Sequence, residues 1–180
     1  MYRCLIANRG EIAVRIIRAC RELGIETVAI YAKGDESSLH VSLADQAVCV
    51  GEANALDSYL NQDRIISAAE MTGANAIHPG YGFLSESPSF AHKVEENDIY
   101  FIGPTKETMQ MMGDKITARQ TVDQAGVPII PGSTDAVESV DEVKEIAKEI
   151  GYPLVLKAAS GGGGKGIRIV KEPEMLDKSF

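Results

Sequence analysis

Short apolar runs alternate with segments of helical periodicity through the first hundred residues, and this alternation constrains the fold more than any other feature. "YRCLIA" reads as a buried strand, and "NRG" turns it into the helix "EIAVRIIRACREL". Ile12, Ile16, Cys20 and Leu23 recur there at helical spacing, and Gly24 stops it. "ETVAIY" is the next strand, followed by a short helix around Leu39–Ala44 and the strand "QAVCV". The segment Gln62–Thr72 is helical, with Ile65, Ile66 and Ala69 inward and Gly73 as its stop. "NAIH" is a fourth strand and runs into the loop "PGYGFLSE". Ser87 caps the helix that follows, with Pro88 in its first turn, and "IYFIG" is a fifth strand. Repeating strand–helix units imply a parallel sheet covered on both faces, so ligands are expected at the carboxyl ends of its strands.

The pattern then changes. Thr105 to Ala125 is helical and strandless, interrupted by Gly113, and "GVPIIPGS" is a Pro/Gly connector. Beyond it, Ser139 and Glu142 form an S-x-x-E capping box opening the helix Val140–Ile150, with Gly151 as its stop. "YPLVLKA" and "GIRIV" read as two strands joined by the run Gly161–Gly164, and Pro173 starts a last helix. A lone helix and hairpin make a poorly closed domain, since an isolated hairpin is marginal in water, so this second domain reads as cut through its middle.

Bulk properties narrow the class. A 44% hydrophobic content supports a core of useful size, and a net charge of −8 argues against nucleic acid or an anionic membrane as the main partner. Cys4, Cys20 and Cys49 are odd in number with no C-x-x-C spacing, and read as buried thiols of a cytoplasmic protein. No cleavable signal or run of transmembrane length stands in the chain.

The glycine run fits no familiar loop motif. A P-loop aligned on Gly164 and Lys165 needs glycine at Ala159 and serine or threonine at Gly166. The spacing G-x-G-x-x-G is met by Gly161, Gly163 and Gly166, yet a strand follows where a helix is required. The kinase glycine loop wants valine at Arg168. Each ordered glycine costs about 0.5–1 kcal/mol relative to alanine, so four cost roughly 2–4, more than an ordinary hairpin turn warrants. A loop that orders over phosphate explains the run better, with Lys157 and Lys165 flanking it. Lys157 stands within the apolar strand "PLVLKAA", where a charge is costly unless paired, and a ligand phosphate would satisfy it.

Other candidates carry plainer alternatives. Arg9 and Glu11 read equally as a helix N-terminus with its dipole-matched acid, and Asp35 alone is a weak ribose-binding acid. His78 has no second histidine at ligand spacing, which rules against a metal site; it reads otherwise as a capping or core residue. Tyr81 is bracketed by two glycines in a loop at a strand's carboxyl end, where function tends to sit. Lys115 in "MGDK" opens a helix and by itself reads as a solvated surface lysine.

Taken together, "IANRGEIAVRIIRA", "IHPGYGFLSE", "FIGP", "MGDK", "GVPIIPGS" and "KAASGGGGKGIRIV", in this order and spacing, resemble biotin carboxylase, the ATP-grasp component of biotin-dependent carboxylases. The resemblance implies an amino-terminal Rossmann-like domain over 1–112, a helical linker over 113–132, and the start of an ATP-grasp lid subdomain of α+β type over 133–180. It implies ATP-driven activation of bicarbonate and carboxylation of biotin, the first half-reaction of acetyl-CoA carboxylase in fatty acid synthesis. By that likeness Lys115, Lys157, Gly163 and Gly164 contact ATP, Tyr81 and Gly82 line the biotin pocket, and Arg18 and Glu22 belong to a homodimer contact. The plainer reading of the last two is an i,i+4 ion pair. Magnesium ligands, bicarbonate-binding arginine and catalytic base are expected outside these residues, so no catalytic residue and no metal ligand is assigned here, and the chain alone is expected to be inactive. Expected partners are a biotin carboxyl carrier protein and a carboxyltransferase. The amino-terminal region of pyruvate or another acyl-CoA carboxylase, another ATP-grasp ligase, and a non-catalytic nucleotide-binding piece stay open.

Overall fold

The computed structural model describes residues 2–133, 135–158 and 166–180, the side chain of Lys115 excepted. The chain divides into two compact units, residues 1–113 and 114–180.

The first unit is built on five strands, β1 (Arg3–Ile6), β2 (Glu26–Ala32), β3 (Gln46–Gly51), β4 (Ala76–His78) and β5 (Tyr100–Phe101). They lie in the order β3-β2-β1-β4-β5, and every neighbouring pair is parallel, as the strand–helix alternation predicts. The helices are α1 (Gly10–Glu22), α2 (Leu39–Leu43), α3 (Gln62–Thr72), α4 (Pro88–Glu96) and α5 (Lys106–Gly113). From β1 the chain passes to β2 and β3 on one side, then crosses back to β4 on the other. The carboxyl ends of β1 and β4 therefore flank a topological switch point, where an open parallel sheet admits a ligand.

Burial on both faces explains the unbroken apolar run of β1. Leu5 and Ala7 enter the core that holds Ile65, Phe90 and Val94 of α3 and α4, whereas Cys4 and Ile6 pack with Ile16, Ile17 and Cys20 of α1. Phe90 meets Phe101 edge-to-face at 6.0 Å between ring centres. Two details differ from the sequence reading. The buried stripe of α1 is Ala13, Ile16, Ile17 and Cys20, while Leu23 is 75% exposed at the C-cap, where the turn into Gly24 ends the packed face. Cys4 and Cys20 are buried as expected, but Cys49 is exposed, because β3 is an edge strand with one side outward.

The second unit contains α6 (Lys115–Gln124), α7 (Val140–Ile150), β6 (Leu154–Lys157), β7 (Ile167–Val170) and α8 (Leu176–Ser179). β6 and β7 pair antiparallel, with Leu154 opposite Val170 and Lys157 opposite Ile167. Its core is Val143, Ala147, Leu154, Val170 and Leu176. Ser139 caps α7 by accepting from the Glu142 N–H at 3.3 Å. The Glu142 carboxylate reaches back to the N–H of Glu138 at 3.0 Å, one residue earlier than a reciprocal capping box requires. Arg119 of α6 donates to the carbonyls of Ile130 at 2.6 Å and Gly132 at 3.5 Å, which ties the Pro/Gly connector to that helix.

Candidate functional site

In the first unit the site is assembled where the β1 turn meets the loop after β4. Asn8 follows β1 and is 4% exposed. Its amide nitrogen donates to the carbonyls of Pro79 and Tyr81, each at 2.8 Å, and its oxygen accepts from the Arg9 N–H at 2.9 Å. One buried side chain thus joins two segments some seventy residues apart and pairs both its amide protons in doing so. Gly80 lies so close that an added Cβ would fall 2.8 Å from the Asn8 amide nitrogen, and its φ of +67° is one that side-chain-bearing residues avoid. Gly82, with φ +64°, turns the loop again but has open space beside it.

The turns leave Tyr81 and Phe83 at the surface. The Tyr81 hydroxyl donates a short hydrogen bond to the Glu11 carboxylate in the first turn of α1. That bond holds the Tyr81 hydroxyl protonated above its ordinary range. His78 closes the same loop from within: its Nδ1 accepts from the Gly80 N–H at 3.0 Å, and burial lowers its pKa. Its role here is that of the turn-capping histidine. Phe83 has φ +44° and stacks on Tyr59 with centroids 5.4 Å apart and planes 3° from parallel. Arg9 pairs with Asp35 at 3.2 Å and lies 5.7 Å over the same Tyr59 ring. Asp35 is therefore a partner of the β1 turn.

Arg18 and Glu22 stand on the outward face of α1. With Arg15, Leu39 and His40 they line a groove of about 810 Å³ between α1 and α2. Among the described residues they form no ion pair with each other, so the simple i,i+4 pair is not what holds them.

The second unit supplies the nucleotide candidates. Lys115 starts α6, with Asp114 as the N-cap accepting from the Thr117 N–H at 2.8 Å; its side chain lies outside the described residues. Gly163 and Gly164 also lie outside them. Lys157 ends β6, and it is exposed, not buried. The hairpin turns Leu154 and Val170 onto α7 and α8, while Val155, Lys157, Ile167 and Ile169 face outward. The cost of a buried charge therefore gives no reason for a phosphate at Lys157. What stands is an ammonium without a protein partner among the described residues, at the mouth of the glycine run. The Ala158 N–H donates to the Gly166 carbonyl at 3.0 Å and continues the ladder up to that run.

Asn8 and Tyr59 escaped the sequence reading. An asparagine directly after an apolar strand was the available signal for the first; Tyr59, in "DSYLN", carries none.

An open parallel sheet whose β1 and β4 turns are tied together at the switch point, followed by a helix-backed hairpin, defines an α/β protein of two units. Family membership makes this specific: the chain belongs to the biotin carboxylase family, residues 1–109 matching "Biotin carboxylase, N-terminal domain". Residues 114–180 match "Carbamoyl-phosphate synthase L chain, ATP binding domain". Biotin carboxylase 1 of Bacillus subtilis is 56% identical over 97% of this chain and 39% of its own length. The biotin carboxylase domain dimer of the Hydrogenobacter thermophilus 2-oxoglutarate carboxylase, solved with MgADP, ADP and bicarbonate, is similar at 53% identity and a TM-score of 0.85. That match covers 98% of this chain and 39% of the other. The biotin carboxylase–β-γ-ATP complex from Campylobacter jejuni is similar at 47% identity and a TM-score of 0.89, over 98% of this chain and 40% of the other. The chain thus spans about 40% of the length of the curated relatives it matches. Among the described residues no helix is long and apolar enough to cross a membrane.

Proposed function

We propose that this chain supplies the amino-terminal part of a biotin carboxylase, an ATP-dependent carbon–nitrogen ligase that activates bicarbonate and carboxylates biotin on a carrier protein. The observation that carries the reading is the two family matches in tandem, over 1–109 and 114–180, on a chain that aligns with biotin carboxylases along 97–100% of its length. Lys157, and Lys115 by family likeness, would neutralise charge on the ATP phosphates, and Gly163 and Gly164 would cover them. Phosphoryl transfer needs little else from protein than such positioning and charge neutralisation. Covering the phosphates would also keep water from a labile carboxyphosphate. Tyr81 and Gly82 would form one wall of the biotin pocket, with the Tyr81 hydroxyl aimed by Glu11. Arg18 and Glu22 would serve a homodimer contact along the α1–α2 groove. Among the described residues no group of three or more His, Cys, Asp or Glu side chains fits a metal ion, so magnesium is assigned no ligand and no step passes through it.

The carboxyl acceptor is chosen by a separate carboxyltransferase. We put acetyl-CoA first on the motif resemblance alone, since identities of 56% with the Bacillus subtilis biotin carboxylase, 54% with the biotin carboxylase subunit of a pyruvate carboxylase and 53% with the domain of a 2-oxoglutarate carboxylase do not separate the acceptors. Transfer from the carboxylated carrier to acetyl-CoA, pyruvate and 2-oxoglutarate, measured in parallel with their carboxyltransferases, decides among them.

The test of the half-reaction is ADP release by a chimaera in which these residues replace the span they match in the Bacillus subtilis enzyme. Turnover is expected to require bicarbonate and to rise with free biotin, and Lys157→Ala should lower it about a hundredfold or more. The 180-residue chain alone is expected to give none, since by family likeness the catalytic base is not among its residues. Turnover indifferent to biotin, or untouched by Lys157→Ala, would overturn the proposal.

A further inference from the structure

Phe83 follows Gly82 in the chain and holds a left-handed backbone, φ +44°, that a bulky side chain adopts only when its surroundings impose it. Its ring is stacked in parallel on Tyr59, a residue from the segment between β3 and α3. Tyr59 is itself immobilised: it is 2% exposed, its hydroxyl accepts from the Ala32 N–H at 3.0 Å, and it donates to Asp35 Oδ2 at 2.5 Å. Asp35 in turn receives Arg9, through Nε at 3.2 Å and Nη2 at 3.4 Å. Arg9 is the N-cap of α1, two residues before the Glu11 that holds Tyr81.

From this closed set of contacts we infer that Tyr59, Asp35 and Arg9 are positioning residues for the Tyr81–Gly82 wall, acting as a latch through Phe83. Asn8 fixes the backbone of the loop at Pro79 and Tyr81, so the latch controls the part beyond it, where the loop turns at Gly82. The inference rests on the biotin-wall reading for its consequence and on geometry alone for the latch. Loosening the stack would release Phe83 from its left-handed conformation and let Gly82 sample others. The penalty should fall on biotin and spare the nucleotide, because none of the latch residues belongs to the unit that carries the phosphate-binding candidates.

Two measurements keep the latch and the biotin reading separable. On the 180-residue chain, the Ser85 and Ser87 amides, hydrogen-bonded to the Gly82 and Leu84 carbonyls, report loop opening by hydrogen exchange. Tyr59→Leu should speed their exchange about tenfold or more with α1 and α3 amides unchanged, and Tyr59→Phe, which keeps the ring and loses the Asp35 bond, by less. In the chimaera, Tyr59→Leu should raise KM for biotin about tenfold and leave KM for ATP and biotin-free, bicarbonate-dependent ADP release within about twofold. Phe83→Leu, at a partly exposed position, should reproduce both effects and serves if Tyr59→Leu does not fold. Unchanged exchange in both variants, or ATP and biotin parameters declining together, would overturn the latch. If the parent chimaera ignores biotin, the carboxylase reading falls, and exchange alone decides the latch.

Discussion

At the scale of single residues, the buried histidines make a pH prediction whose sign follows from burial. His40 is 1% exposed; its Nε2 donates to the Ile30 carbonyl at 3.1 Å, and its Nδ1 has no partner among the described residues. Burial lowers its pKa below 6.5, with the Ile30 carbonyl and Asp35 opposing that shift and Arg9 adding to it. His78 is lowered by burial as well. The unfolded chain then binds these protons more readily than the folded one, so the stability they contribute is complete above 6.5 and is lost as pH falls toward the folded values. The thermal midpoint should be level near neutrality and decline from about 6.5 downward, with a shallower decline in His40→Gln. Titration of the His40 ring by NMR with a midpoint at or above 6.5 would contradict it. Asp45 contributes separately. Thr27 donates to it twice, at 2.8 Å from both N–H and hydroxyl, which lowers its pKa below 3.8. Its stabilisation is therefore lost only in more acid solution.

At the scale of elements, capping and amphipathicity account for α7. Ser139 satisfies the Glu142 N–H, and the helix delivers Val143 and Ala147 to the core of its unit. Ser139→Ala should cost about 1 kcal/mol, read from urea unfolding by circular dichroism, and Ser139→Asp should restore most of it. A loss below about 0.3 kcal/mol would mean that water caps the helix as well as serine does. The β6–β7 hairpin shows the limit of reading an element from its sequence. An apolar run around a lysine looks buried on both faces, yet only alternate positions pack, because a two-stranded sheet backed on one side has one face to hide.

At the scale of the whole molecule, each unit carries its own core, and the two differ greatly in size. The first buries residues from five strands and four of its helices, including Leu5, Ile30, Ile65, Ile77 and Phe90. Among the described residues the second rests on five buried side chains. Leu176→Ala should therefore destabilise the second unit by about 2–5 kcal/mol, enough to melt so small a core at room temperature. Hydrogen exchange should show protection lost across α7, β6 and β7 while β1, β2 and β4 stay protected. Equal loss of protection in both units would show that they unfold as one.

What the sequence determined by itself was local in origin. Periodicities of 3.6 and 2, with Gly73, Ser87 and Ser139 as punctuation, placed the helices and strands, and their alternation implied a parallel sheet. The loop "HPGYGFLSE" and the glycine run marked candidate sites because glycine pairs and runs are costly without a purpose. Tertiary structure decided which strands became neighbours, and so that β1 and β4 flank the switch point. It decided that Asn8 would join two distant turns, that Tyr59 would stack on Phe83, and that Lys157 would face outward. Those outcomes depend on strand order and on which face of a sheet is covered. Both are set by contacts between residues far apart in the chain, which leave no periodic trace along it.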